Sequence, residues 1–220
     1  MRVDIRADRK RPTILVTAGP TREKIDPVRF ISNYSTGTFG YEIAREAKRR
    51  GCRVTLISGP TWLEVPRGVK VVRVESAVEM KRAVLKSVKT SDYVIMAAAV
   101  SDWRVAYPQK KKIKRGMARK RLELVENPDI LKDLGSKRGR VLVGFALETE
   151  DVEKNAVKKL KEKNLDFIIA NKLSPGGSVF GENKPSLLII DRSGHKTVLR
   201  DKTKRESAKI ILDKILNFNI

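Results

Sequence analysis

The sequence predicts an α/β protein built on a doubly wound, mostly parallel sheet, with a small antiparallel addition late in the chain. Three observations carry this. Short β-branched runs alternate with helix-like stretches along most of the 220 residues, which is the rhythm of successive βαβ units. Residues 93–99 and 141–146 are apolar without alternation, as strands covered on both faces must be. The last two strand-like runs, 187–191 and 196–199, flank Ser193-Gly194 and read as a hairpin.

Residues 13–17 (TILVT) form the first strand, closed by the turn signal Ala18-Gly19-Pro20. A loop to about Gly37 precedes a helix over 41–50, which Gly51 ends. Residues 53–57 make a second strand, stopped at Gly59-Pro60, and 69–74 a third. Ser76 and Glu79 have the spacing of a capping box for a helix through about Val88. After the buried strand 93–99 comes a strand over 122–125. Asn127-Pro128 then supplies an N-cap and a first-turn proline for a short helix. The rhythm continues with a strand at 141–146, a helix at 151–163 and a strand at 165–170. Thr203 and Glu206 form a second capping box for a helix to about Leu216. Residues 1–12 read as a tail and 13–220 as one domain, with a mobile basic loop at about 104–120.

Composition excludes several classes. The longest apolar run, 93–100, has eight residues, far short of the ~20 that cross a bilayer. A single cysteine, Cys52, forms no internal disulfide and fits a reducing, cytoplasmic compartment. The chain carries 48 Lys and Arg against 26 Asp and Glu, a formal charge of +22. That excess attracts polyanions: nucleic acid, anionic membrane or small polyphosphates. Residues 104–121 hold nine basic side chains and no acidic one.

Ligands of open α/β sheets bind beyond the carboxyl ends of the strands. The segment 32–40 (SNYSTGTFG) precedes a helix, and its glycines and hydroxyls suit a phosphate at the helix N-terminus. A turn needed only for helix entry explains it equally well. Neither GxGxxG nor GxxxxGK[ST] occurs, so the standard dinucleotide and P-loop fingerprints are absent. Asp102 follows the most buried strand; a turn-capping role is the commoner reading, and holding Mg²⁺ against triphosphate oxygens the functional one. The stretch Lys110-Lys111-Lys112-Ile113-Lys114-Arg115 reads as a lid over a triphosphate, a nucleic-acid patch or a solvated loop. Lys159 and Lys163 share one helical face, by spacing alone a solvated one. With His195 and Cys52 the only residues of their kinds, a Ser-His-Asp triad, a Cys-His pair or a zinc site is disfavoured. Phosphoryl or nucleotidyl chemistry, which needs positioning more than acid–base groups, remains.

A set of blocks lies in order along residues 13–190: TAGPTRE (17–23), DPVRFISN (26–33), Ser35-Thr36-Gly37 with Gly40, VTLISGP (54–60), AAAVSDWR (97–104), KIKR (112–115), NPDIL (127–131), GFALET (144–149) and NLDFIIAN (164–171). Together they resemble the phosphopantothenate–cysteine ligase family. The resemblance implies a Rossmann-like sheet and the joining of 4′-phosphopantothenate to L-cysteine in coenzyme A synthesis. The family in prokaryotes usually spends CTP, passing through an acyl-cytidylate with release of pyrophosphate and then CMP. It further implies Mg²⁺, a cytoplasmic homodimer, and no flavin in this chain; a separate flavin-dependent decarboxylase is an expected partner. No membrane and no specific nucleic acid are expected.

Carried over by position, Lys112 is the loop lysine of the first half-reaction and Asn33 the asparagine that handles the acyl-nucleotide. Arg29, Asn33, Ala98 and Ala99 are implied to line the phosphopantothenate site. Ser35, Gly37, Asp102, Lys112, Pro128, Asp129, Ile130, Leu131, Phe145, Lys159 and Lys163 are implied nucleotide positions, with Asp102 also the metal ligand. Some positions depart from the family pattern. Ser35-Thr36-Gly37-Thr38-Phe39-Gly40 stands for SSGKMG, so a lysine is missing; Ser101-Asp102-Trp103 stands for Ala-Asp-Tyr, and Arg115 for a lysine. These changes bear on the choice of nucleotide, ATP being the alternative. A basic α/β nucleic-acid binder is the alternative of a different class, though charge alone gives such a protein no reason to carry DPVRFISN.

Overall fold

The computed structural model describes residues 11–115, 121–136, 139–172 and 185–218. In chain order the elements are β1 (Thr13–Ala18), β2 (Arg22–Lys24), β3 (Phe30–Ser32), α1 (Thr38–Arg49), β4 (Arg53–Ser58), β5 (Lys70–Arg73) and α2 (Ala77–Ser87). Then follow β6 (Tyr93–Met96), β7 (Trp103–Val105), β8 (Leu124–Glu126), α3 (Ile130–Gly135), β9 (Val141–Glu148) and α4 (Val152–Glu162). The chain closes with β10 (Phe167–Lys172), β11 (Leu187–Asp191), β12 (Lys196–Leu199) and α5 (Lys204–Leu216).

Eight strands form one sheet in the order β12-β11-β10-β9-β6-β1-β4-β5. All pairings from β5 across to β10 are parallel, and β11 and β12 add to its edge as the expected antiparallel hairpin. The buried strands explain the three layers. Ile14 and Val16 of β1 face one side, where α1 and α5 cover them, while Leu15 faces the side of α2, α3 and α4. Val141, Leu142 and Val143 of β9 alternate in the same way. Each strand is thus apolar on both faces because each face meets a helix layer.

Several boundaries differ from the sequence expectation, each for a local reason. Helix α1 starts at Thr38, three residues before 41, because Gly37 turns the chain in with φ 79°. The α3 N-cap is Asp129, not Asn127: the Asp129 carboxylate accepts the Lys132 N–H at 3.1 Å. Ser76 caps α2, but Glu79 Oε2 takes the N–H of Glu75 instead of completing the box. The Thr203 and Glu206 box is complete. The expected strand at 122–125 becomes β8 and leaves the main sheet to pair with β7. The expected loop 18–37 holds the β2–β3 hairpin, and β2 lies against β7. The expected basic loop lies partly outside the described residues, at 116–120.

Candidate functional site

The chain steps from β1 outward to β4 and β5, then returns to β6 on the other flank of β1. Such a reversal leaves a crevice beyond the carboxyl ends of the two middle strands. A cleft of about 520 Å³ opens there.

Its floor is the junction of β1 and the segment after β6. The Ala99 N–H donates to the Gly19 carbonyl at 3.0 Å, and the Thr21 N–H donates back to the Ala99 carbonyl at 3.2 Å. Buried hydroxyls fasten the rest: Thr17 Oγ1 accepts the Ala98 N–H at 3.1 Å and Thr21 Oγ1 the Ser101 N–H at 3.0 Å. Asn33 Nδ2 donates to the Ala99 carbonyl at 2.9 Å. Two sequence blocks 66 residues apart therefore meet at one peptide.

One end of the cleft is the start of α1. The Gly37 N-cap has no side chain and no acidic residue sits in the first turn; the Thr38 N–H reaches Thr36 Oγ1 at 3.5 Å, and the amides after it and the dipole suit an anion. Glycine is required for this geometry. A Cβ on Gly37 would stand 3.0 Å from the backbone of Gly19, and one on Gly19 would stand 3.1 Å from the Gly59 carbonyl. Thr36 and Thr38 hydroxyls lie 2.8 Å apart at the rim, and Ser35 Oγ accepts the Gly37 N–H.

The opposite wall comes from the α3 turn, β9 and α4. Asn127 bridges to the floor, its N–H on the Asp102 carbonyl and its Nδ2 on the Ser101 carbonyl. Lys163 pairs with Asp129 at 3.0 Å, and Lys159 with Glu148 at 2.6 Å. Burial alone would raise the Asp129 pKa; hydrogen bonds from the Lys132 N–H and Lys163 outweigh it and hold the carboxyl below its usual value. Both lysines face the cleft already paired with a carboxylate. The Phe39 and Phe145 rings meet at the cleft with centroids 5.4 Å apart and planes tilted by 56°. Among the described residues no three His, Cys, Asp or Glu side chains gather as a metal cage. A lone cleft carboxylate such as Asp102 fits Mg²⁺, which keeps waters and takes phosphate oxygens as its other ligands.

The cleft thus collects Asn33, Ser35, Gly37, Ala98, Ala99, Asp102, Pro128, Asp129, Ile130, Leu131, Phe145, Lys159 and Lys163. Arg29 and Lys112 stand outside its wall. Arg29 is half-exposed and ion-paired to Asp26, while Lys112 is exposed on the basic loop. Phe39, Asn127, Asn171 and Lys204 also line the cleft, beyond the site residues that the sequence implies. Asn171 had a signal, its place at a strand end. Asn127 reads from its following proline as a helix cap, Phe39 lies in the 32–40 segment but is neither a glycine nor a hydroxyl there, and nothing local marks Lys204. His195 sits exposed in the β11–β12 turn, and Cys52 is buried among core side chains.

The DNA/pantothenate metabolism flavoprotein C-terminal domain family matches residues 9–218. The coenzyme A biosynthesis bifunctional protein CoaBC of Bacillus subtilis is 45% identical over 204 residues, 92% of this chain and 50% of that protein. The chain spans about half the length of the curated relatives it matches. The crystal structure of the C-terminal domain of a CoaBC protein superposes with TM-score 0.79 at 42% identity, covering 93% of both chains. The DNA/pantothenate metabolism flavoprotein from Streptococcus pneumoniae superposes with TM-score 0.82 at 25% identity, covering 94% of this chain and all of that one.

Proposed function

Because the chain belongs to the DNA/pantothenate metabolism flavoprotein C-terminal domain family, we propose that it is a phosphopantothenate–cysteine ligase that spends CTP. A carboxylate is a poor acyl donor until one oxygen becomes a leaving group. The 4′-phosphopantothenate carboxylate attacks the α-phosphorus of CTP, a P–O bond forms, and the bond to pyrophosphate breaks. The cysteine amine then attacks the acyl carbon; a C–N bond forms, the acyl C–O bond breaks, CMP leaves and the amine loses a proton to solvent.

The observation that carries this reading is the meeting of Asn33 with the Ala99 carbonyl at the switch point, between the open start of α1 and the Lys159 and Lys163 pairs. Charge gathers in the first step and must be met by fixed donors and cations. The α1 amides suit a phosphate, and the two lysines suit the other end of a nucleotide triphosphate. Asn33, with its amide held at the cleft floor, suits the acyl oxygen in the second step. Asp102 would help hold Mg²⁺, and the ion would supply positive charge to offset the phosphates. We further propose a cytoplasmic homodimer; in support, Phe30, Trp103 and Leu124 leave apolar surface exposed on the two small sheets.

The test is release of CMP and pyrophosphate from CTP with 4′-phosphopantothenate, Mg²⁺ and L-cysteine, each omitted in turn, with ATP run in parallel. Turnover that needs every component and favours CTP supports the proposal. Turnover with ATP alone would correct the nucleotide, and none with either would sink the ligase reading.

A further inference from the structure

Asp26 carries a fully buried carboxylate in a turn whose neighbour Val28 is exposed. Its two oxygens have different partners. Oδ1 shapes the turn, accepting the N–H of Val28 at 2.8 Å and of Arg29 at 2.9 Å, a task Asn or Ser performs as well. Oδ2 accepts the Arg29 guanidinium through Nε and Nη2, and the N–H of Ile113, 87 residues further along, at 3.1 Å. Arg29 Nη2 closes the ring by donating to the Ile113 carbonyl at 3.0 Å. One ion pair therefore takes both backbone groups of Ile113. A second tie runs from the Gln109 N–H to the Ile25 carbonyl at 2.9 Å. Residues 107–112 are exposed, and Ile113 is the half-buried exception.

We propose that Asp26 is a positioning residue: its Oδ2, with Arg29, tethers the basic loop at Ile113 and so sets where Lys112 can reach. This rests on the ligase reading, in which Lys112 serves the first half-reaction. The local turn needs an acceptor but no charge, and the charge is directed at the loop. With Ile113 pinned on both sides, Lys112 has mainly its own side-chain torsions left to search, which lowers the entropy lost in placing its ammonium. The segment 26–33 thereby registers both half-reactions, Asn33 against Ala99 and Lys112 through Ile113 against Asp26. Arg29 keeps the Asp26 carboxyl well below the usual carboxylate range, so the tether stays charged through neutral pH.

The experiment compares wild type, Asp26→Asn, Lys112→Gln and the double variant. Two readouts are taken: tryptic cleavage after Lys110, Lys111, Lys114 and Arg115, and pyrophosphate release without cysteine. Asp26→Asn keeps the turn acceptor and loses the charge. Cleavage is expected to quicken and pyrophosphate release to slow by about tenfold each, the scale of losing charge-assisted hydrogen bonds, with KM for the nucleotide little changed. If Asp26 acts through Lys112, the double variant is no slower than Lys112→Gln alone. Ile113→Pro deletes the loop N–H with Asp26 intact, and it should reproduce both effects should Asp26→Asn fail to fold. Unchanged cleavage in the folded variants overturns the tether, and independent, multiplicative losses in the double variant overturn action through Lys112. A wild type that releases no pyrophosphate with CTP or ATP overturns the ligase reading instead, and the cleavage rates alone then decide the tether.

Discussion

Replacing Gly40 by alanine sets helix propensity against a backbone contact, and the structure decides between them. Inside a helix, alanine is favoured over glycine by about 1 kcal/mol. A Cβ at this site, however, would lie 2.5 Å from Ala18 Cβ and 2.8 Å from the Thr17 carbonyl. Carbon contacts settle at about 3.5–4.0 Å, so the first turn of α1 has to move about 1 Å off β1. Thr17 and Ala18 are wholly buried, and α5 packs against α1, so neither side yields cheaply. Overpacking of this kind costs about 3 kcal/mol at the upper end. Set against the propensity gain, Gly40→Ala should lose about 2 kcal/mol, a fall of about 4–8 °C in Tm for a chain of this length. Pyrophosphate release should fall too, because the same turn carries Gly37 and Phe39 into the cleft. Urea unfolding followed by circular dichroism measures the loss. Ala18→Gly in the Gly40→Ala background removes the closer overlap but leaves the Thr17 carbonyl, so it should restore part of the stability. Gly51→Ala, at φ 84° with open space around it, reports the left-handed penalty alone, about 1–2 kcal/mol. A Gly40→Ala protein as stable as wild type or more so would refute the close approach of α1 to β1.

The remaining expectations concern chemistry and pH. Asn33→Asp should keep pyrophosphate release yet block ligation, with acyl-nucleotide accumulating in a rapid-quench assay; equal loss of both steps would remove Asn33 from its role. Asp102→Asn should raise the Mg²⁺ concentration for half-maximal turnover by roughly tenfold or more, and an unaltered Mg²⁺ titration would rule out this carboxylate as a ligand. Arg49 and Arg50 hold the buried Glu46 near a pKa of about 2 against a usual 4.5. A lowered folded-state pKa means stability that is present above 4.5 and is lost as pH falls toward 2. Glu46→Gln should therefore be less stable than wild type by about 2 kcal/mol at pH 7, with the gap closing as urea melts are taken from pH 4.5 downward; a gap independent of pH would contradict the ion-pair origin.

Legibility varied with how local each signal was. The sheet strands could be read because burial on both faces demands uninterrupted apolar runs such as 93–96, and the hairpin of β11 and β12 because Gly194 marks its turn. Helix α5 announced itself through Thr203 and Glu206, whose spacing alone makes the reciprocal cap. The three-residue strands β2, β3 and β7 are not separable from loop, since three residues are too few to show a period; β8 is legible as a strand, but its pairing with β7 outside the main sheet is not. Asn127 looked like a cap because Pro follows it, yet Asp129 caps α3 and Asn127 spends its side chain on the Ser101 carbonyl. Lys159 and Lys163 looked solvated by spacing; their carboxylate partners lie 11 and 34 residues away.

What the sequence determined by itself was the doubly wound order of elements and, through blocks such as DPVRFISN, the family. These follow from apolar periodicity, turn chemistry and residue identity, all written along the chain. Tertiary structure alone decided that Asn33 meets Ala99, that three glycines from three segments press together under α1, and that a buried aspartate ties the basic loop. Those contacts join residues tens of positions apart, and their geometry exists only once the sheet has set its crossovers.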